Sequence, residues 1–262
     1  MDLPLYQVDA FTNEVFKGNP AAVCPLEYWP SDTLLQNIAA ENNLAETAFF
    51  VEENGSYTLR WFTPTVEVAL CGHATLATAH VLFEHLNYQE KIIHFSTRES
   101  GSLIVTRSNN LIHMDFPIDN ITPVKVPEGL QEALATNIEI CCKGKTDYLV
   151  ELSDQEKLDN LNPDFRKLME IDARGIIITS PGNHYDFVSR FFAPAVGVDE
   201  DPVTGSAHTT LVPYWVEKLN KNKLIAQQRS KRSGEVLCEL KDERVTLSGN
   251  ARTYLVGRIT IE

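Results

Sequence analysis

Apolar and polar positions alternate in short runs along most of this chain, and helical spacing shows in only a few places. Leu5–Val8 predicts a strand. Asn13, Gly18, Asn19 and Pro20 break the chain before a second strand at Ala21–Cys24. Pro30-Ser31-Asp32 opens a helix to about Asn42, because Leu34, Leu35, Ile38 and Ala39 share one face. Leu44–Val51 reads as a strand, and Asn54-Gly55 turns it into Tyr57–Phe62. A helix from Gly72 to about Leu86 and strands at Ile92–Ser96, Gly101–Thr106 and Leu111–Phe116 follow.

Pro117–Pro127 has no clear period and marks a domain boundary. Beyond it we expect helices at Leu130–Thr136 and Pro163–Met169, and strands at Ile138–Cys142, Tyr148–Leu152, Ile176–Thr179 and Asp186–Phe192. A helix from Gly205 to about Asn220 precedes strands at Gly234–Leu240, Arg244–Ser248 and Ala251–Ile261. The order lacks the regular strand–helix alternation of a doubly wound sheet, so the fold class is α+β. The domains expected are residues 1–117 and 118–262, with the last strand crossing back to the first half.

The chain repeats itself. Residues 60–68 (RWFTPTVEV) match residues 190–198 (RFFAPAVGV) at five of nine positions, with an offset of 130. The matches fall on every second residue, which suits one face of an extended segment. Farther on, Gly72, Ala74, Glu84, Leu86 and Asn87 match Gly205, Ala207, Glu217, Leu219 and Asn220 at an offset of 133. Two similar halves packed about a pseudo-twofold axis are expected, with residues 72–86 and 205–219 as their central helices. A cleft between such halves is the natural place for a ligand.

Differences between the copies then point to function. At offset 130, Glu46 stands where the second copy has Ile176. A carboxylate flanked by Leu44, Ala45, Ala48 and Phe49 is either a strand-edge group facing water or a partly desolvated acid with a raised pKa, suited to moving protons. Gly72-His73 and Gly205-Ser206 open the two helices; these are either cap residues or, if the helix ends face one cleft, an anion site with Ala74 and Thr204 beside it. The positive end of the helix is expected to depress the His73 pKa. Asp201, at the end of Asp199-Glu200-Asp201, borders the second helix, whereas Asp199 and Glu200 read as a solvated loop. Cys71, just before a helix, is a minor candidate nucleophile.

Composition narrows the classes. The net charge of −13 disfavours nucleic acid and anionic membranes as partners. Met1-Asp2-Leu3-Pro4 offers no basic, apolar leader and no run is long enough to span a bilayer, so a cytoplasmic protein is expected. None of the five cysteines forms a C-x-x-C pair, His73 and His80 have no carboxylate set to complete a metal site, and Gly144-Lys145-Thr146 lacks the earlier glycine of a phosphate-binding loop. No metal and no cofactor are expected.

Taken together, V-D-A-F-T-x-x-x-F-x-G-N-P-A-A-V (Val8–Val23), N-L-A-E-T-A-F around Glu46, C-G-H-A-T around His73 and E-D-P-V-T-G-S-A around Asp201 resemble the PhzF-like isomerase family of phenazine biosynthesis. The resemblance covers essentially the whole chain. It implies the diaminopimelate-epimerase fold, two α+β halves each with a rolled sheet around a central helix. It implies a cofactor-independent isomerase with Glu46 as acid/base and with His73, Asp201 and Ser206 in support, like the enzyme that moves a ring proton of dihydro-3-hydroxyanthranilate. The substrate expected is a small carboxylate, held by Gly72, Ala74, Thr204 and Gly205, and the assembly expected is a homodimer. Cys71 matches one of the two thiols of the related epimerases and Asp201 stands in the other half, which argues against two-thiol epimerisation. An epimerase or racemase using Cys71, and a catalytically silent metabolite-binding protein, are the competing readings.

Overall fold

The computed structural model describes residues 1–53 and 55–261. Asn54, half of the expected Asn54-Gly55 turn, lies outside the described residues; Gly55 has the positive φ of 76° that such a turn requires. The chain divides into two compact units, one formed by Met1–Asp115 with the chain from Ser248 on, the other by Phe116–Leu247.

In the first unit, the strand Asp2–Ala10 lies between Ala251–Thr260 and Asn19–Leu26, antiparallel to both. Asn19–Leu26 runs parallel to Glu46–Glu53, and the connection is the helix Asp32–Asn42, capped by the Ser31 hydroxyl. Glu46–Glu53 pairs antiparallel with Ser56–Phe62, which runs parallel to Ile92–Ser96 across the helix Gly72–Glu84. Ser102–Ser108 and Leu111–Pro117 extend the sheet antiparallel.

The second unit repeats this order of pairings. Ile140–Lys143 is antiparallel to Asp147–Glu151, which is parallel to Gly175–Pro181 across the short helices Gln155–Asp159 and Phe165–Leu168. Gly175–Pro181 is antiparallel to Phe187–Phe192, which is parallel to Lys223–Gln228 across the helix Gly205–Leu219. Gly234–Lys241 follows antiparallel. The duplication in the sequence is therefore a duplication of topology.

Helix Gly72–Glu84 is buried almost all round, from His73 to Ala79 and again at Val81, Leu82 and Phe83. Only small and apolar residues allow that, and Thr75 and Thr78 satisfy their hydroxyls on the carbonyls of Cys71 and Ala74, at 2.6 and 2.8 Å. Helix Gly205–Leu219 carries Pro213, whose missing N–H leaves the Thr209 carbonyl without its helical donor. Asp119 fills the gap: its N–H donates to that carbonyl at 3.1 Å, and its carboxylate accepts from the Thr210 hydroxyl at 3.1 Å. The neighbouring cysteines Cys141 and Cys142 are both buried, so this strand is covered on both faces.

The ladders revise the sequence alignment of the two halves. Phe62 pairs with Thr47, and Phe192 pairs with Ile176, so the counterpart of Ile176 is Thr47 rather than Glu46. The parallel ladders agree: Ala21 pairs with Glu46, and Asp147 with Gly175. The residue equivalent to Glu46 is Gly175. The gapless offset fails because the two hairpins turn over different numbers of residues.

The insertion also moves. Phe62 pairs with Glu67 and Trp61 with Val68, while the Asp201 N–H donates to the Phe191 carbonyl at 3.0 Å. Asp201 therefore answers to Val68 and Glu200 to Glu67, and the extra residues lie in the turn around Pro194–Val196. The repeated arginines confirm it. Arg60 grips Glu67 through Nε and Nη2, both at 2.7 Å, and Arg190 grips Glu200 through the same atoms at 2.7 and 3.0 Å. Each guanidinium also lies over the phenylalanine two residues on, Phe62 or Phe192. Glu200 is thus a clamped residue and not part of a solvated loop.

Candidate active site

In the first unit, Glu46 begins its strand and His73 sits in the first turn of the central helix, so both lie at one end of the same strand–helix layer. A Glu46 carboxylate oxygen is 3.1 Å from His73 Nε2. Both atoms are buried, and neither has an aligned hydrogen-bond partner among the described residues. The other ring nitrogen, Nδ1, lies 3.1 Å from the Asn19 amide nitrogen and 3.5 Å from Cys71 Sγ. Asn19 is fixed by Gly18, which has φ of 65° and packs so tightly that a Cβ would come 2.1 Å from the Ala10 carbonyl oxygen. Gly72 and Ala74 occupy the same first turn as His73.

The electrostatics reverse one expectation. Burial lowers the His73 pKa, but the Cys71 sulfur and the Glu46 carboxylate beside the ring outweigh it and hold the imidazole well above its usual value. The helix end was expected to depress it; a carboxylate in direct contact is the stronger influence. Cys71 is pushed up by burial and by Glu46, so it is a thiol at neutral pH rather than an activated nucleophile. Glu46, Cys71 and His73 offer ligand atoms within 4.8 Å of one another, the place where a cation would sit among the described residues. Binding one would require Cys71 to lose the thiol proton that burial holds in place.

In the second unit, Asp201, Thr204, Gly205 and Ser206 gather at the N-terminus of the helix Gly205–Leu219. The Thr204 hydroxyl donates to the Asp201 carboxylate. Gln228, fully buried, accepts from the Thr204 N–H at 2.8 Å and donates to the Asp201 carbonyl at 2.8 Å and to the Thr204 hydroxyl at 3.1 Å. Ser206 is exposed, and its hydroxyl accepts from Arg174 Nη2 at 3.0 Å. Cys71 and Thr204 are equivalent N-cap residues, and neither caps its helix with its side chain.

Asn19, Gln228, Arg174 and Asp147 were missed as site residues. Asn19 lies in the G-N-P-A-A-V segment that carried the resemblance, and that was its available signal. Nothing in the linear pattern marks the other three. Among the described residues, no helix is long and apolar enough to cross a membrane.

The comparisons with known proteins agree with one another. A family model described as phenazine biosynthesis-like protein matches residues 8–257. An uncharacterized isomerase of Pseudomonas aeruginosa is 50% identical over 259 residues, covering 99% of each chain. A human phenazine biosynthesis-like domain-containing protein is 40% identical over 288 residues, covering 99% of this chain and 100% of its own. The crystal structure of a PhzF-family protein of Enterococcus faecalis matches with a TM-score of 0.97 and 46% identity, covering 100% of both chains. A hydroxyproline epimerase of Agrobacterium vitis shares the fold with a TM-score of 0.61 at 9% identity, covering 98% of this chain and 92% of its own. The chain belongs to the phenazine biosynthesis-like (PhzC-PhzF) family.

Proposed function

We propose that the protein is an isomerase that moves a proton on a small carboxylated metabolite by general acid/base catalysis, without a cofactor. The observation that carries this is the Glu46–His73 pair. A buried carboxylate oxygen of the partly exposed Glu46 and a buried ring nitrogen of His73 lie 3.1 Å apart with no aligned partner among the described residues, so a substrate can complete their hydrogen bonding. Glu46 takes the proton from one carbon, leaving the negative charge on the substrate, and returns it to another; His73 balances the carboxylate charge before the first step and after the second. Gly72 and Ala74, in the same helix turn as His73, bind and orient the substrate. The relatives named isomerases support the reaction class. A racemase using Cys71 is the weaker reading, because burial and Glu46 keep that thiol protonated.

The test is turnover in deuterium oxide with a panel of small carboxylates, beginning with dihydro-3-hydroxyanthranilate. The wild type should place solvent deuterium on a product carbon. Glu46→Gln should bind the same compound and lose exchange. Tight binding with no exchange by the wild type, for every compound bound, would make the protein a binding module instead.

A further inference from the structure

Cys71 sits at the candidate site without a part in the proposed reaction. It is the N-cap residue of the helix Gly72–Glu84 and is buried, yet its sulfur does not cap the helix. The sulfur instead lies 3.5 Å from His73 Nδ1. The other ring nitrogen, Nε2, is 3.1 Å from a Glu46 carboxylate oxygen, and both of these atoms are buried with no aligned hydrogen-bond partner among the described residues. The His73 residue is only 4% exposed, so bulk water does not serve that nitrogen. Sulfur and carboxylate approach different ring nitrogens, but the three residues present ligand atoms within 4.8 Å of one another. Among the described residues, this is the one group of three titratable side chains with that geometry.

A thiolate, an imidazole and a carboxylate are the ligand types of a zinc-class ion, whereas magnesium and calcium take oxygen ligands. Metal–ligand bonds of about 2.0–2.3 Å in a tetrahedron set the ligand atoms about 3.3–3.8 Å apart. Glu46 and His73 already stand near that spacing, and the sulfur has at most roughly 1 Å to move. We propose that Glu46, Cys71 and His73 form a site for a zinc-class divalent cation, and that the bound ion switches off the acid/base pair by taking the Glu46 oxygen and the His73 nitrogen that the substrate would meet. The switching rests on the function proposed above; the site does not. The thiol proton and any proton on the coordinating nitrogen leave to solvent as the ion enters, because a bound dication deprotonates a coordinating thiol outright. With Nε2 on the ion, Nδ1 carries the ring proton and faces the Asn19 amide at 3.1 Å, which accepts it once the amide turns its oxygen inward.

The probe is cobalt(II), whose absorption spectrum reports its ligands, added to chelator-treated protein. The wild type should show the near-ultraviolet band of a metal-bound thiolate, and zinc should displace it. Cys71→Ser should lose that band. Glu46→Gln keeps the sulfur and the side-chain shape, so it should keep the band while binding cobalt at least about tenfold more weakly. Zinc should stop solvent-deuterium exchange by the wild type, EDTA should restore it and magnesium should have no effect. Cys71→Ser should go on exchanging at zinc concentrations that silence the wild type. A wild type without the thiolate band, a band that survives in Cys71→Ser, or a cobalt affinity unchanged by Glu46→Gln would overturn the site. Zinc bound with exchange undiminished would overturn the switch. If the metal-free wild type exchanges no compound, the proposed function has failed and the switch falls with it, while the cobalt spectra still decide the site.

Discussion

Glu46 and Gly175 hold the same rung of two ladders built alike, one paired with Ala21 and the other with Asp147. The duplicated scaffold thus carries an acid at this rung in one copy and no side chain in the other. The Phe191 ring fills the space a side chain would take, and the ion pair nearest it is Asp147–Arg174, with Asp147 at the rung that Ala21 holds in the first unit. The scaffold is symmetric in pairing order, and the chemistry placed on it is not.

Gly175→Ala should therefore destabilise the protein by about 1–3 kcal/mol, the usual cost of overpacking. Backbone freedom is not the reason; the Phe191 ring is, at 2.3 Å from the new Cβ. Gly175→Ala/Phe191→Leu should recover much of the loss in urea denaturation.

The Glu46–His73 contact should appear as a pH dependence of stability. The folded pKa of His73 is raised above its unfolded value. The stabilisation is fully present below about pH 6.5 and is lost as the pH rises through the folded pKa. Glu46→Gln removes the attracting charge, so this alkaline loss should shrink. Denaturation from neutral to alkaline pH, with NMR titration of the His73 ring, checks both.

His208 titrates in the opposite sense. It is a fully buried residue of the helix Gly205–Leu219, and burial lowers its pKa to about 4. Its contribution is present above about pH 6.5 and is lost as the pH falls toward 4, up to about 3 kcal/mol. His208→Gln should flatten the acid limb of the stability profile between these values, measured by urea midpoints.

The arginine clamps should matter to folding and not to chemistry. Arg190→Ala leaves Glu200, 19% exposed, facing a buried gap. A loss of about 3 kcal/mol is expected from breaking such a pair, with ligand binding preserved in the folded fraction.

Much of this was legible in the chain. The repeated glycines Gly72 and Gly205 marked the starts of both central helices, and Ser31 marked the start of the first helix through its cap. The repeat showed because its arginines and phenylalanines do the same packing work in each half. Its alignment slipped where turn lengths differ, since a gapless match cannot see strand register. The strand Lys223–Gln228 was missed because Ile225 is exposed while Gln228 is buried, which hides the alternation. Of the site, Glu46 stood out as a carboxylate in an apolar run. Arg174 and Asp147 did not, because their pairing spans 27 residues and exists only in three dimensions.

The measurement that tests the central claim most directly is solvent-deuterium exchange into a turned-over carboxylate, compared side by side for the wild type, Glu46→Gln, Cys71→Ser and Asp201→Asn, with binding measured for each. The account predicts that Glu46→Gln loses about 10²–10⁴-fold in exchange while still binding, and that Cys71→Ser keeps exchanging. Normal exchange by Glu46→Gln, with exchange abolished in Cys71→Ser or Asp201→Asn, would contradict it and move the base to that residue.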